Sequence, residues 1–193
     1  MKSICVFCGS NVGTNPQHRD VAIDLGTRIA EHGMRLVYGG GNVGLMGIVA
    51  DAALDAGGEV LGIIPESLLR KEVGHRRLTE LVVTSTMHER KARMADAADG
   101  FIALPGGFGT FDELCEILTW AQLGIHRKPI GLLDSGGFYR QLLAFFDFVS
   151  AEGFLKPEHR ALILEEQDPS LLLDRMSHWQ PISVTKWAEP AAR

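Results

Sequence analysis

The chain is short of the residues that would announce a cross-linked scaffold, a metal centre or a membrane span. Three cysteines among 193 residues cannot build a disulfide framework, so a reducing compartment is the simplest home. Two of them, Cys5 and Cys8, form a C-x-x-C, but they lie in the apolar stretch Ile4-Cys5-Val6-Phe7. A redox pair needs its first sulfur at a helix start, where the thiol pKa falls. This spacing reads as a strand. The seven histidines show no zinc spacing, with His75, His88 and His126 far apart, and no metal site is expected. There is no G-x-S-x-G elbow of a serine hydrolase and no Gly-Lys-Ser/Thr of a Walker loop. Positive charge is not in excess either: 19 Lys and Arg against 24 Asp and Glu leave a net charge of -5. That balance argues against general affinity for nucleic acid or acidic membranes. No apolar run is long enough to cross a bilayer, and the one after Met1-Lys2-Ser3 is too brief for a signal-peptide core. A cytoplasmic location is expected.

What is present is a repeating order of apolar strand, small-residue turn and amphipathic helix. Strands are expected at Ser3 to Cys8, Leu36 to Tyr38, Val60 to Ile64, Leu81 to Val83, Phe101 to Leu104 and Ile130 to Leu133. Val21, Leu25 and Ile29 mark one intervening helix, stopped at His32-Gly33; a second begins near Gly44, a third covers 87–98, and Phe111, Leu114, Leu118 and Ala121 mark a fourth. Further helices are expected over 136–151, 157–165 and 169–178. Residues 66–80 read as a charged surface excursion, and 181–193 as a loosely held tail. Strands that are apolar on both sides, alternating with helices, predict one doubly wound, Rossmann-like parallel sheet with helices on both faces, a single α/β domain over 1–180. Ligands in such sheets bind beyond the carboxyl ends of the strands. The turns at Gly9, at Gly39 to Gly41 and at Gly106 to Gly109 all follow strands, so they should gather at one edge.

Three segments carry chemistry. In Pro105-Gly106-Gly107-Phe108-Gly109-Thr110-Phe111-Asp112-Glu113, glycines let the backbone approach an anion, and a helix start offers free N–H groups to phosphate oxygens. Thr110-x-x-Glu113 also reads as a capping box, and spacing alone leaves capping and catalysis evenly balanced for Glu113. The second segment, Gly39-Gly40-Gly41-Asn42-Val43-Gly44, is a literal G-x-G-x-x-G. It sits on the second strand rather than the first, and Pro65 interrupts the place where a ribose-binding acid belongs, so a mononucleotide fits better than a dinucleotide. The third, Met87-His88-Glu89-Arg90-Lys91-Ala92-Arg93, opens a helix with cations that oppose its dipole, an arrangement suited to a nearby anion or to a solvated basic face. Arg70, Lys71, Arg76 and Arg77 read as surface charge.

Taken together these segments, with Val6-Phe7-Cys8-Gly9-Ser10, Gly44-Leu45-Met46-Gly47, Thr119 to Gly124 and Lys128 to Leu133, resemble the "lonely guy" (LOG) family of phosphoribohydrolases, formerly mislabelled lysine decarboxylases. The resemblance reaches to about residue 178. It implies hydrolysis of cytokinin riboside 5′-monophosphates to free base and ribose 5-phosphate, with no cofactor. It also implies a catalytic pair at Arg90 and Glu113, and nucleotide contacts at Gly9, Ser10, Gly40, Gly41, Glu72, Lys91, Gly106, Gly107, Gly109, Thr110 and Thr119. Asp112 stands where the family often has glutamate. Members are usually homodimers with sites near the interface, so a homodimer is expected. An AMP nucleosidase with no cytokinin role and a nucleotide sensor without turnover are the alternatives. Arg90 is expected to serve the ligand rather than the fold, so that its removal would cost activity but little stability.

Overall fold

The computed structural model describes residues 1–69 and 74–182. Seven strands form one parallel sheet: β1 (Ser3–Phe7), β2 (Arg35–Tyr38), β3 (Val60–Pro65), β4 (Glu80–Thr84), β5 (Gly100–Ala103), β6 (Ile130–Leu133) and β7 (Ile163–Glu166). Their spatial order is β4-β3-β2-β1-β5-β6-β7. The helices are α1 (Gln17–Glu31), α2 (Gly44–Asp55), α3 (Glu66–Leu69), α4 (Met87–Asp96), α5 (Phe108–Gln122), α6 (Arg140–Ala151), α7 (Pro157–Arg160) and α8 (Pro169–Ser177). The expected doubly wound architecture is the one observed.

Strand alternation sends successive side chains to opposite faces and so builds two cores. Ile4, Val6 and Cys8 pack with Leu25 and Ile29 of α1, Leu45 and Val49 of α2, and Leu172 of α8. Cys5 and Phe7 pack with Met94 of α4, Leu114 and Ile117 of α5, and Leu143 of α6. Cys5 and Cys8 are buried free thiols whose pKa values are pushed up, first by burial and then by the nearby Glu113 carboxylate. Such thiols are unreactive, as a strand reading of the C-x-x-C requires.

Two expectations need correction. The helix expected over 157–165 stops at Arg160, and Ile163–Glu166 is a seventh strand, registered Ile130↔Ile163 and Gly131↔Leu164 against β6. A four-residue apolar run cannot be told from the end of a helix by periodicity, and the ladder with β6 decides it. The 66–80 excursion is also more than surface: His75 N–H donates to Gly40 O at 3.1 Å, Gly41 bridges Gly74, and Arg77 pairs with Asp51 and Asp55 of α2. Arg70 and Lys71 lie outside the described residues.

The ends of β1 and β5 are locked together where the site forms. Leu104 N–H donates to Phe7 O at 2.9 Å, and Gly9 N–H donates to Pro105 O at 3.0 Å. Behind them the buried Tyr139 hydroxyl donates to Leu104 O at 2.6 Å, while its own N–H donates to Asp134 Oδ1 at 2.7 Å. Tyr139→Phe strands that carbonyl in a dry interior. It should lower the stability measured by urea unfolding by about 1–2 kcal/mol, with the slope unchanged.

Candidate active site

After β1 the chain turns towards β2, and after β5 it turns towards β6. A winding that reverses leaves a crevice between the two strand ends. There a cavity of about 320 Å³ is walled by the Gly9–Thr14 turn, the Pro105–Gly107 turn, Leu45, His18 and Phe138. Among the described residues, none that lines the cavity carries a carboxylate.

Three local features shape the cavity. Leu45 N–H donates to Gly9 O at 3.0 Å, bracing the start of α2 on the first turn. Gly44 has φ +56, and a Cβ there would run into the backbone of Ser10 and Asn11; only glycine allows this approach. Finally, α5 begins at Phe108 after Gly107, with no side-chain cap. The N–H groups of Phe108, Gly109 and Thr110 precede the first intrahelical bond and are free to meet a phosphate. The capping-box reading of Thr110 and Glu113 is therefore wrong. Thr110 lies buried inside the first turn, three positions past the true cap. Side-chain capping occurs instead at α4, where the N-cap Thr86 Oγ1 accepts from Glu89 N–H at 3.1 Å and Glu89 Oε2 accepts from the N–H of Ser85, one residue before the cap, at 2.9 Å.

Glu113 is buried at 8% exposure and meets Arg90, itself 7% exposed, with Nη2 and Oε1 3.4 Å apart. The guanidinium is fixed on two other sides. Its Nε–H donates to Ile63 O at 3.1 Å, and a methyl group at Gly39 would overlap it. The first glycine of the G-x-G-x-x-G thus makes room for an arginine rather than for a pyrophosphate.

Of the expected substrate contacts, Gly9, Ser10, Gly106 and Gly107 line the cavity, and Gly109 and Thr110 stand in the helix start beside it. Neither Arg90 nor Glu113 lines it. From Gly107 to Glu113 is about 9 Å along the helix axis, a span that a ribose 5-phosphate unit can bridge. Gly40 and Gly41 are buried under the chain segment at Gly74–His75. Lys91 is held by Asp112 Oδ2 at 3.0 Å and Glu116 Oε1 at 3.1 Å. Burial works against its charge, but these hydrogen bonds outweigh that and raise its pKa. Thr119 bonds Cys115 O at 2.7 Å and lines a separate apolar groove with Phe146 and Leu162. Glu72 lies outside the described residues. His18 and Phe138 belong to no motif and are not legible as site residues, whereas Leu45 lies in the Gly44-Leu45-Met46-Gly47 segment without being singled out for the wall. Only the small polar run from Ser10 to Thr14 just before α1 signalled a binding turn there.

Comparison with known proteins gives a consistent family. A profile described as "Possible lysine decarboxylase" matches residues 46–176. The cytokinin riboside 5′-monophosphate phosphoribohydrolase LOG7 of Arabidopsis thaliana is 48% identical over 180 residues, which cover 93% of this chain and 83% of that protein. The cytokinin riboside 5′-monophosphate phosphoribohydrolase LOG of Oryza sativa subsp. japonica is 47% identical, over 93% of this chain and 74% of its own. Among solved structures, the molybdenum cofactor carrier protein of Chlamydomonas reinhardtii superposes with a TM-score of 0.69 at 22% identity, over 92% of this chain and 96% of that one. At that identity it shares the fold alone.

The buried pair revises the expectation that Arg90 is dispensable for stability. Arg90→Ala leaves Glu113 desolvated without its cation and Ile63 O without its donor. Thermal or urea unfolding should show a loss of about 3–5 kcal/mol. A stability equal to wild type would show that the pair is not closed in solution.

Proposed function

The chain belongs to the LOG family of phosphoribohydrolases, and from that premise we propose that it hydrolyses the bond between base and ribose in cytokinin riboside 5′-monophosphates and in AMP. The observation that carries this reading is the Glu113 carboxylate, buried against Arg90 one and a half turns into the helix whose uncapped start faces the cavity.

The phosphate binds on the N–H groups of Phe108, Gly109 and Thr110, where the helix dipole favours negative charge. That anchorage, remote from the reacting bond, positions the sugar and lowers the barrier by orientation. As the C1′–N9 bond breaks, its electrons leave with the base and positive charge develops on the ribose ring, as in glycoside hydrolysis. Glu113 lies alongside, stabilises that charge and accepts the proton of the water that adds to C1′. The base picks up a proton and departs, leaving ribose 5-phosphate. Arg90 holds Glu113 in place.

Lysine decarboxylation is not supported by the residues at the site. A Schiff-base lysine needs a depressed pKa, whereas Lys91 is held charged between two carboxylates and its pKa is raised. The reading extends to a homodimer, for which the exposed Phe145 and Phe148 of α6 offer apolar surface.

Glu113→Gln should retain the wild-type circular dichroism spectrum and release ribose 5-phosphate about a hundredfold more slowly, or slower still. Wild-type turnover in that variant would remove Glu113 from the chemistry. Parallel assays on AMP and isopentenyladenosine monophosphate should both yield ribose 5-phosphate. Binding of either nucleotide without release of product over long incubation would mark a sensor instead.

A further inference from the structure

His18 belongs to no motif, yet among the described residues it is the one titratable side chain on the cavity wall. It is 9% exposed and sits in the first turn of α1. Its Nδ1 lies 3.1 Å from Ser135 Oγ, and Phe138 packs on the ring edge-on, with centroids 5.8 Å apart. The Cδ2–Nε2 edge faces Gly13, another residue of the wall. Nε2 has no hydrogen-bond partner among the described residues. That nitrogen is not sealed from solvent, and with the rest of the ring buried, the cavity it borders is the direction from which a ligand oxygen can reach it. The backbone of α1 cannot supply the donor in its place. Asn15 already takes the N–H of Gln17 through Oδ1 at 3.0 Å and the N–H of His18 through its carbonyl at 3.1 Å.

We propose that His18 is a phosphate ligand: Nε2–H donates to a phosphoryl oxygen held between the Gly9–Thr14 turn and the start of α5. The assignment rests on reading the cavity as the place of the nucleotide's 5′-phosphate. With Ser135 Oγ–H donating to Nδ1, the neutral ring carries its proton on Nε2 and points a donor at the anion; the protonated ring does so with added charge. A hydroxyl can serve Nδ1 as donor or as acceptor; in the donating arrangement Ser135 holds the useful tautomer from outside the cavity, and the loop after β6 becomes part of the binding apparatus. The two glycine turns provide a concave anion site, and His18 closes its third side.

Two substitutions separate the two ring nitrogens. His18→Gln places an amide N–H near Nε2 and gives up the Ser135 contact. His18→Asn keeps a group near Nδ1 and gives up the one in the cavity. Calorimetry with ribose 5-phosphate, which needs no turnover, should show His18→Asn weakened about tenfold or more, and His18→Gln close to wild type. Where nucleotide is hydrolysed, kcat/KM should fall in His18→Asn by about the same tenfold, and His18→Gln should stay close to wild type. Adenosine, which has no phosphate, should bind all three proteins alike. The reverse order of the two variants, or equal loss in both, would make His18 a structural partner of Ser135 and overturn the proposal. So would weakened adenosine binding with ribose 5-phosphate unaffected, which would assign His18 to the base. The expected ribose 5-phosphate pattern in a protein that hydrolyses no nucleoside monophosphate would uphold the ligand and defeat the proposed function.

Discussion

A parallel sheet that winds outward in both directions from two neighbouring strands must leave a gap above their carboxyl ends, because no crossover covers that point. In this chain the two strands are β1 and β5, and their ends are tied by the bonds Leu104 N–H to Phe7 O and Gly9 N–H to Pro105 O. Everything that the site does depends on this seam. It sets the first turn against the start of α5 and gives α2 a carbonyl to rest on. The buried Tyr139 hydroxyl holds it from below. The turns can be open and glycine-rich because the strands beneath them are wholly buried and cannot shift.

The charges at the site follow a different logic from those on the surface. Desolvating both Arg90 and Glu113 is expensive, and their mutual attraction repays this only when further hydrogen bonds complete the arrangement. The Ile63 carbonyl supplies one such bond and Gly39 the space. The pair is thus better understood as a device that fixes one carboxylate in a buried place than as a source of stability. A carboxylate so held acts strongly on a developing positive charge, since no water screens it. Lys91 marks the edge of this region: with Asp112 and Glu116 as partners, it neutralises local acid rather than facing the cavity. The proposed anion site is built from backbone amides and the His18 ring, with the cations Arg90 and Lys91 kept to one side.

Much of this could be read from residue patterns alone, and the misses have common causes. The apolar runs of β1, β5 and β6 and the helical spacing of α1, α2 and α5 identify the sheet and its faces, because burial on both sides leaves an unbroken hydrophobic signal. Of the motif residues at the strand ends, Gly9, Ser10, Gly106 and Gly107 come together on the cavity wall. What local pattern cannot show is which partner a residue finds across the fold. Ile163 is a strand residue only because Ile130 is free to pair with it. Thr110 looks like a cap until the helix is seen to start at Phe108. Gly40 and Gly41 read as ligand-facing, yet the chain itself returns at His75 to occupy them. His18 carries no signature at all, and its place on the wall comes from Ser135, over a hundred positions away in the chain.

The account stands on one geometric relation, between a phosphate on the α5 start and a sugar carbon beside the acid six residues further on. A crystal structure of Glu113→Gln with AMP bound tests it directly. The phosphate should lie on the N–H groups of Phe108 to Thr110, with C1′ about 3–4 Å from the side chain at position 113. A phosphate seated away from that helix start, or a C1′ beyond the reach of position 113, would contradict the account.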